Sequence, residues 1–185
     1  MTSSLVDKTI SEYFPNGTRK CVLPDELLRM CISYIVEVKT GYYKNGKIKY
    51  ERQYVNDKIH GTYKGWYENG QLSYIDFFVN DKLHGLCKDW YKNGEIHYID
   101  YYIHGKIDGV CKEWHENGML KYELTYVKGK KHGTHKYWYE NGQLKQEKSY
   151  VNDKRHGIHK CWYSGGEVKR VFSYVDGVRW FDTCM

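Results

Sequence analysis

From residue 42 to residue 174, short alternating runs of apolar and polar residues recur with a step of 24. Trp66, Trp90, Trp114, Trp138 and Trp162 keep that step, as do Tyr54, Phe78, Tyr102, Tyr126, Tyr150 and Tyr174, each followed by Val or Ile. Asn-Gly pairs end at Gly46, Gly70, Gly94, Gly118 and Gly142, with a Gly-Gly variant at Gly166. A second glycine series falls at Gly61, Gly85, Gly109, Gly133 and Gly157. The heptapeptide WYENGQL stands at 66–72 and again at 138–144. No insertion breaks the register, and a period of this length is the mark of a solenoid or array.

Each unit predicts a β-hairpin. Runs such as TYKGWY and LCKDWY form the first strand, and QLSYIDFFV and MLKYELTYV the second. Asn-Gly between two such runs predicts a two-residue type I′ turn, because both positions tolerate positive φ. Segments such as NDKIHG and NDKRHG predict a longer polar connection to the next hairpin. The expected fold is all-β: an elongated single-layer antiparallel meander of six hairpins with roughly twelve strands. Each unit would advance about 9–10 Å, so six would span about 55–60 Å in a twisted trough. Period 2 puts Trp66 with Lys64 and Thr62, and puts Leu72, Tyr74 and Phe78 together, the second set joining the Trp column on one apolar side. Gly61, Gly85, Gly109, Gly133 and Gly157 leave room for a ring or allow a bulge; the expectation is that each seats a neighbouring Trp or Tyr.

Composition narrows the class. The 185 residues are 41% hydrophobic and 17% aromatic, with 20 Tyr and only 2 Pro. Mean hydropathy is −0.79, so apolar burial must come chiefly from rings. No apolar stretch reaches the roughly 18 residues of a membrane span, and MTSSLVDKTISEYF has no signal-peptide core. Six Cys without a C-x-x-C fit a reduced, cytoplasmic protein. The net charge of +6 permits contact with phosphates or anionic lipid.

Three sets of residues invite a functional reading. Lys64, Lys88, Lys112, Lys136 and Lys160 form a column beside the Trp column, a candidate ladder for nucleic acid or anionic lipid. The plain alternative is that their stems cover Trp faces while the heads stay in water. The motifs HGLC at 84–87, DGVC at 108–111, HGTH at 132–135 and HGIH at 156–159 carry metal-type ligands. Equivalent positions roughly 9–10 Å apart are too distant to share one ion, so no metal or cofactor is assigned. No Ser/His/Asp or Cys/His set stands outside the repeat, and no catalytic residue is assigned. If a site exists, it lies where the copies differ: at columns 63, 65, 73 and 75 and their equivalents, and at the ends.

The motifs WYENGQLK at 138–145 and YVNDKRHG at 150–157, with their copies, resemble the MORN repeat in the 24-residue variant shared with the YwqK-type antitoxin-like family. The resemblance covers six units over 37–180 and leaves a tail at 181–185. It departs at the ends, where Glu37 replaces the opening Gly, Tyr42 replaces Trp, and Trp180-Phe181 replaces His-Gly. The resemblance implies a hairpin array used for binding, dimerisation or membrane-proximal scaffolding, and no chemistry. Within residues 1–36, Pro24, Asp25, Glu26, Leu27, Leu28, Cys31 and Ile32 predict a short helix capping the sheet. LPDELLRMCISYI also resembles the first helix of an F-box, which docks ubiquitin-ligase adaptors. That pairing resembles proteins of large DNA viruses of protists, and would place the chain in host cytoplasm or virion. The functional expectation is a non-catalytic scaffold for a protein partner or a second copy of itself. Alternatives are a lipid- or nucleic-acid-binding scaffold, an antitoxin-like neutraliser and an adaptor-binding protein.

Overall fold

The computed structural model describes residues 36–184. The predicted helix and the F-box-like segment lie outside the described residues, which contain strands and turns and no helix. The strands are β1 (Glu37–Tyr42), β2 (Ile48–Val55), β3 (Lys58–Trp66), β4 (Leu72–Val79), β5 (Lys82–Leu83), β6 (Gly85–Trp90), β7 (Ile96–Ile103), β8 (Lys106–Ile107) and β9 (Gly109–Trp114). They continue as β10 (Leu120–Val127), β11 (Lys130–Lys131), β12 (Gly133–Trp138), β13 (Leu144–Val151), β14 (Lys154–Arg155), β15 (Gly157–Trp162), β16 (Val168–Val175) and β17 (Val178–Cys184).

Every pairing is antiparallel and joins sequence neighbours, from β1 on β2 to β16 on β17, in one sheet. The short strands β5, β8, β11 and β14 continue β6, β9, β12 and β15 across a break. The predicted single-layer meander is therefore the fold.

The two kinds of turn are exchanged relative to expectation. The two-residue connections are Asn56-Asp57, Asn80-Asp81, His104-Gly105, Lys128-Gly129, Asn152-Asp153 and Asp176-Gly177, all with positive φ at both positions. Val79 pairs with Lys82 around Asn80-Asp81, the geometry of a type I′ hairpin. The Asn-Gly pairs sit in longer loops. There Gly70 N–H donates to Tyr67 O at 2.8 Å and Tyr67 N–H to Gln71 O at 2.8 Å. Only the glycine has positive φ, +96° at Gly70, as in a turn followed by a left-handed bulge residue. The Asn69 Oδ1 accepts from Gln71 N–H at 3.0 Å, so the asparagine is chosen for its side chain.

Two irregularities mark each unit. Gly65 pairs with Tyr74 but Trp66 pairs with Leu72, so Ser73 is an extra residue in β4. The same bulge recurs beside Trp90, Trp138 and Trp162. It turns Leu72 to the Trp66 side, away from Tyr74 and Phe78, which corrects the expectation of one shared apolar side. At the other end, Phe78 pairs with Leu83 while Ile75 pairs with Lys88, which makes His84-Gly85 a second bulge. His84 N–H donates to Phe77 O at 2.8 Å there, and Gly85 has φ +104°.

The core lies on one side of the sheet. Cys87, Cys111, His135, His159, Tyr150 and Tyr174 are the buried set, and register places all six on the side that carries Tyr74 and Phe78. We call this the tyrosine face and the opposite side, with Lys64, Trp66 and Ile75, the lysine face.

Candidate interaction faces

Neighbouring units are tied by the same side chains at each step. The hydroxyl of Tyr43 donates to Trp66 O at 2.6 Å, that of Tyr67 to Trp90 O at 2.5 Å, that of Tyr91 to Trp114 O at 2.8 Å and that of Tyr139 to Trp162 O at 2.8 Å. His115 takes the tyrosine's place, with Nε2 3.4 Å from Trp138 O. Asn93, Asn117 and Asn141 donate from Nδ2 to the carbonyls of Glu116, Glu140 and Ser164. At the opposite rim, Asp81 N–H donates to Ile59 O and Asp81 Oδ1 accepts from Ile59 N–H. The 24-residue step thus makes contacts at a separation of 22 or 23. Sequence reading missed this tie, although the Tyr43, Tyr67, Tyr91, Tyr139 and Tyr163 column was visible beside the tryptophans. Tyr67→Phe is expected to lower stability by about 1 kcal/mol, because it deletes one part-buried bond and little packing; urea unfolding measures it.

The tyrosine face is closed by its own side chains. Tyr63 and Tyr74 meet edge to face at 5.0 Å. The Arg52 guanidinium lies over the Tyr63 ring at 4.2 Å and donates to its hydroxyl. His135 lies 4.7 Å from Tyr150, and His159 lies 4.6 Å from Tyr174. Column 63 is the central row of this face: Tyr63, Cys87, Cys111, His135 and His159 follow one another across the strands. Cys87, Cys111, His135 and His159, the last residues of the HGLC, DGVC, HGTH and HGIH motifs, are thus packing residues. Among the described residues no three His, Cys, Asp or Glu side chains come together as metal ligands would.

Electrostatics divides the face in two. Burial pushes the carboxyls of Asp76, Asp89 and Asp100 above the usual range. Burial also pushes the Cys87 and Cys111 thiols up to about 12, so both are neutral and unreactive. At Glu113 burial acts upward, but Lys121, Tyr122 and His97 outweigh it and hold the carboxyl below its ordinary value. Further along, Lys148 is pushed down by burial and by Arg155 and Lys131. Columns 65 and 73, which vary between copies, meet here: His97 bridges Asp89 at 3.6 Å and Glu113 at 3.8 Å, and Lys121 pairs with Glu113.

His135 is fully buried and His159 nearly so. Their Nε2–H groups donate to Thr125 O at 2.7 Å and Ser149 O at 2.8 Å. Burial pushes both imidazoles below the ordinary value of 6.5. The unfolded chain therefore takes up protons first as pH falls. The stabilisation from these histidines is complete above about 6.5 and is lost as pH falls toward the lowered folded values. The raised carboxyls act in the opposite sense: they favour the fold at acid pH, and that contribution fades as pH rises through their folded values. The expected result is a lower urea midpoint at about pH 5.5 than at about pH 7.5, with a smaller difference in a His135→Gln/His159→Gln chain.

The lysine face holds the predicted ladder. Lys64, Lys88, Lys112, Lys136 and Lys160 occupy one row across the strands, and Trp66, Trp90, Trp114, Trp138 and Trp162 an adjacent row, as register requires. The row is not uniformly free: Lys112 pairs with Glu123 at 2.9 Å and Lys136 with Glu147 at 3.8 Å. The cations that lie over rings take tyrosines, as Lys49 over Tyr43 at 5.6 Å and Lys145 over Tyr139 at 5.2 Å, or Phe172, as Arg179 does, rather than the tryptophans beside the lysine row. Phe77, Leu86, Tyr101 and Val110 remain 40%, 38%, 41% and 46% exposed on this face.

Hairpins bonded to their neighbours by equivalent side chains at successive steps define a β-hairpin repeat protein. No characterised protein matches the sequence. The chain belongs to the MORN repeat variant family, which matches at residues 38–56, 59–80, 83–104, 107–128 and 131–152. These repeats build protein- or membrane-binding scaffolds rather than catalysts. Among the described residues no helix is long and apolar enough to cross a membrane.

Proposed function

We propose that this chain is a non-catalytic scaffold that binds another protein or a second copy of itself. The asymmetry of the sheet carries the reading. One face is filled by the chain's own rings, while the other leaves aromatic and aliphatic side chains in solvent, beyond what a single layer needs for folding. Light scattering across a concentration series reads self-association, and affinity capture of the full chain from its native cell reads a partner. The absence of both a dimer and a reproducibly captured protein would overturn the proposal.

The second reading, a polyanion-binding scaffold, draws on the net charge of +6 and the lysine row. The ion pairs of Lys112 and Lys136 weaken it, because two of the five cations are already neutralised within the sheet. Retention on anionic vesicles or single-stranded nucleic acid at low salt would favour it. The antitoxin-like and ubiquitin-adaptor readings rest on resemblance alone, and the latter concerns residues outside those described.

A further inference from the structure

We propose that the lysine face of the second and third hairpins, residues 62–110, docks a protein segment that presents apolar side chains around a carboxylate, which pairs with Lys88. This rests on the protein-binding reading and adds the surface and the chemistry of the partner.

Comparison between units isolates the surface, because the fold repeats while the side chains change. The position of Phe77 and Tyr101 holds Thr125, Ser149 and Ser173 later in the chain, on equivalent strands with equivalent pairing. That of Leu86 holds Val110, Thr134 and Ile158, so a threonine is accepted there although apolar residues recur, and that of Ile75 and Ile99 holds Glu123 and Glu147. The architecture is therefore satisfied by small or charged residues at these positions. Large apolar groups there are not required by the hairpin, and they stay exposed. Contiguous exposed apolar side chains on a sheet face mark a contact surface.

Charge selects the occupant. The cross-strand neighbours of Lys88 are Ile75 and Ile99, and among the described residues no carboxylate reaches its ammonium group. One unit later, the structure supplies Lys112 with Glu123, and then Lys136 with Glu147. The Lys88 head is thus a cation surrounded by apolar side chains, complementary to a carboxylate within an apolar segment. A second copy of this face would set Lys88 against the lysines of its own kind. A phosphate backbone would leave Phe77, Leu86 and Tyr101 without an apolar partner.

The test is selection of a displayed library of random peptides of about twelve residues against the full chain. Selected peptides are expected to be apolar with Asp or Glu near the centre. Their affinity should fall at least about tenfold for Lys88→Glu and for the triple variant Phe77→Thr/Leu86→Thr/Tyr101→Ser. Lys136→Glu should leave it unchanged. The triple variant uses residues that the later units carry, so the fold is retained, and a thermal melt verifies this. Repeating the selection against Lys88→Glu should yield Lys- or Arg-centred peptides. No enriched peptide, enrichment without acidic residues, or equal binding by the Lys88→Glu chain would overturn the proposal. So would binding to phosphatidylserine-containing vesicles that the triple variant abolishes, which would assign the face to a membrane. A dimer or a captured protein that survives the triple variant would overturn this surface while leaving the scaffold reading intact.

Discussion

Gly65→Ala is expected to lower the unfolding free energy by about 2–3 kcal/mol. A Cβ at Gly65 would overlap the Tyr74 ring at Cε1, Cζ and Cδ1. That ring cannot swing aside freely, since Tyr63 meets it edge to face at 5.0 Å and the Arg52 guanidinium lies over Tyr63 at 4.2 Å. The added methyl must break the stack or displace β3 from β4. Gly41 stands in the same relation to the Tyr50 ring in the first hairpin, so Gly41→Ala should repeat the effect. Urea unfolding of each variant measures it. A loss below about 0.5 kcal/mol at Gly65 would show that the ring relocates without penalty.

Gly85→Val is expected to cost about 2 kcal/mol for a different reason. Gly85 sits in the His84-Gly85 bulge at φ +104°, where a β-branched residue is strained regardless of free space. The space is in fact adequate: the nearest atoms to an added Cβ are Phe77 Cβ at 3.5 Å and Cγ at 3.9 Å, and no Trp or Tyr ring is seated there. Gly109 sharpens the test, since it has φ +102° and nothing within 4 Å of an added Cβ. If backbone strain is the cause, Gly109→Val should be as damaging as Gly85→Val, and Gly85→Asn should recover part of the loss. Equal damage from Asn and Val at Gly85, with Gly109→Val neutral, would restore the ring-seat explanation.

These two glycines show how far the sequence could be read. The 24-residue step was enough for the all-β meander, because a repeated pattern of alternation and turn residues admits few other folds. The faces were harder. Period 2 fails at a bulge, and nothing in the letters LSY announces that Ser73 is an extra residue. Leu72 was therefore assigned with Tyr74 when it lies with Trp66. The turns were exchanged because Asn-Gly and Asn-Asp both suit left-handed backbone, and only the closing bonds distinguish a two-residue connection from a longer one. Ring seats were expected at the regular glycines but occur at Gly41 and Gly65, in a column that later holds Asp89, Glu113, Tyr137 and Cys161. The available signal was a glycine in a variable column opposite a column that reads Tyr50, Tyr74, Tyr98 and Tyr122 before it changes to Gln146 and Arg170. Of the columns that differ between copies, 63, 65 and 73 line the tyrosine face and 75 the lysine face. Variation alone does not distinguish a core row from a surface.

The bonds between neighbouring units have a bearing on how such a chain changes length. Tyr67 reaches Trp90 O and Tyr91 reaches Trp114 O with the same donor, acceptor and separation. Excising one whole hairpin would bring the tyrosine of the preceding unit to the tryptophan carbonyl of the following one, and every bond could re-form. Duplicating a unit inserts a hairpin that presents matching donors and acceptors on both sides. Loss or gain of a fraction of a unit would instead leave a tyrosine hydroxyl and a carbonyl without each other. This protein can therefore lengthen or shorten in whole repeats at little structural risk, while point substitutions in the exposed columns change the surface that each hairpin presents.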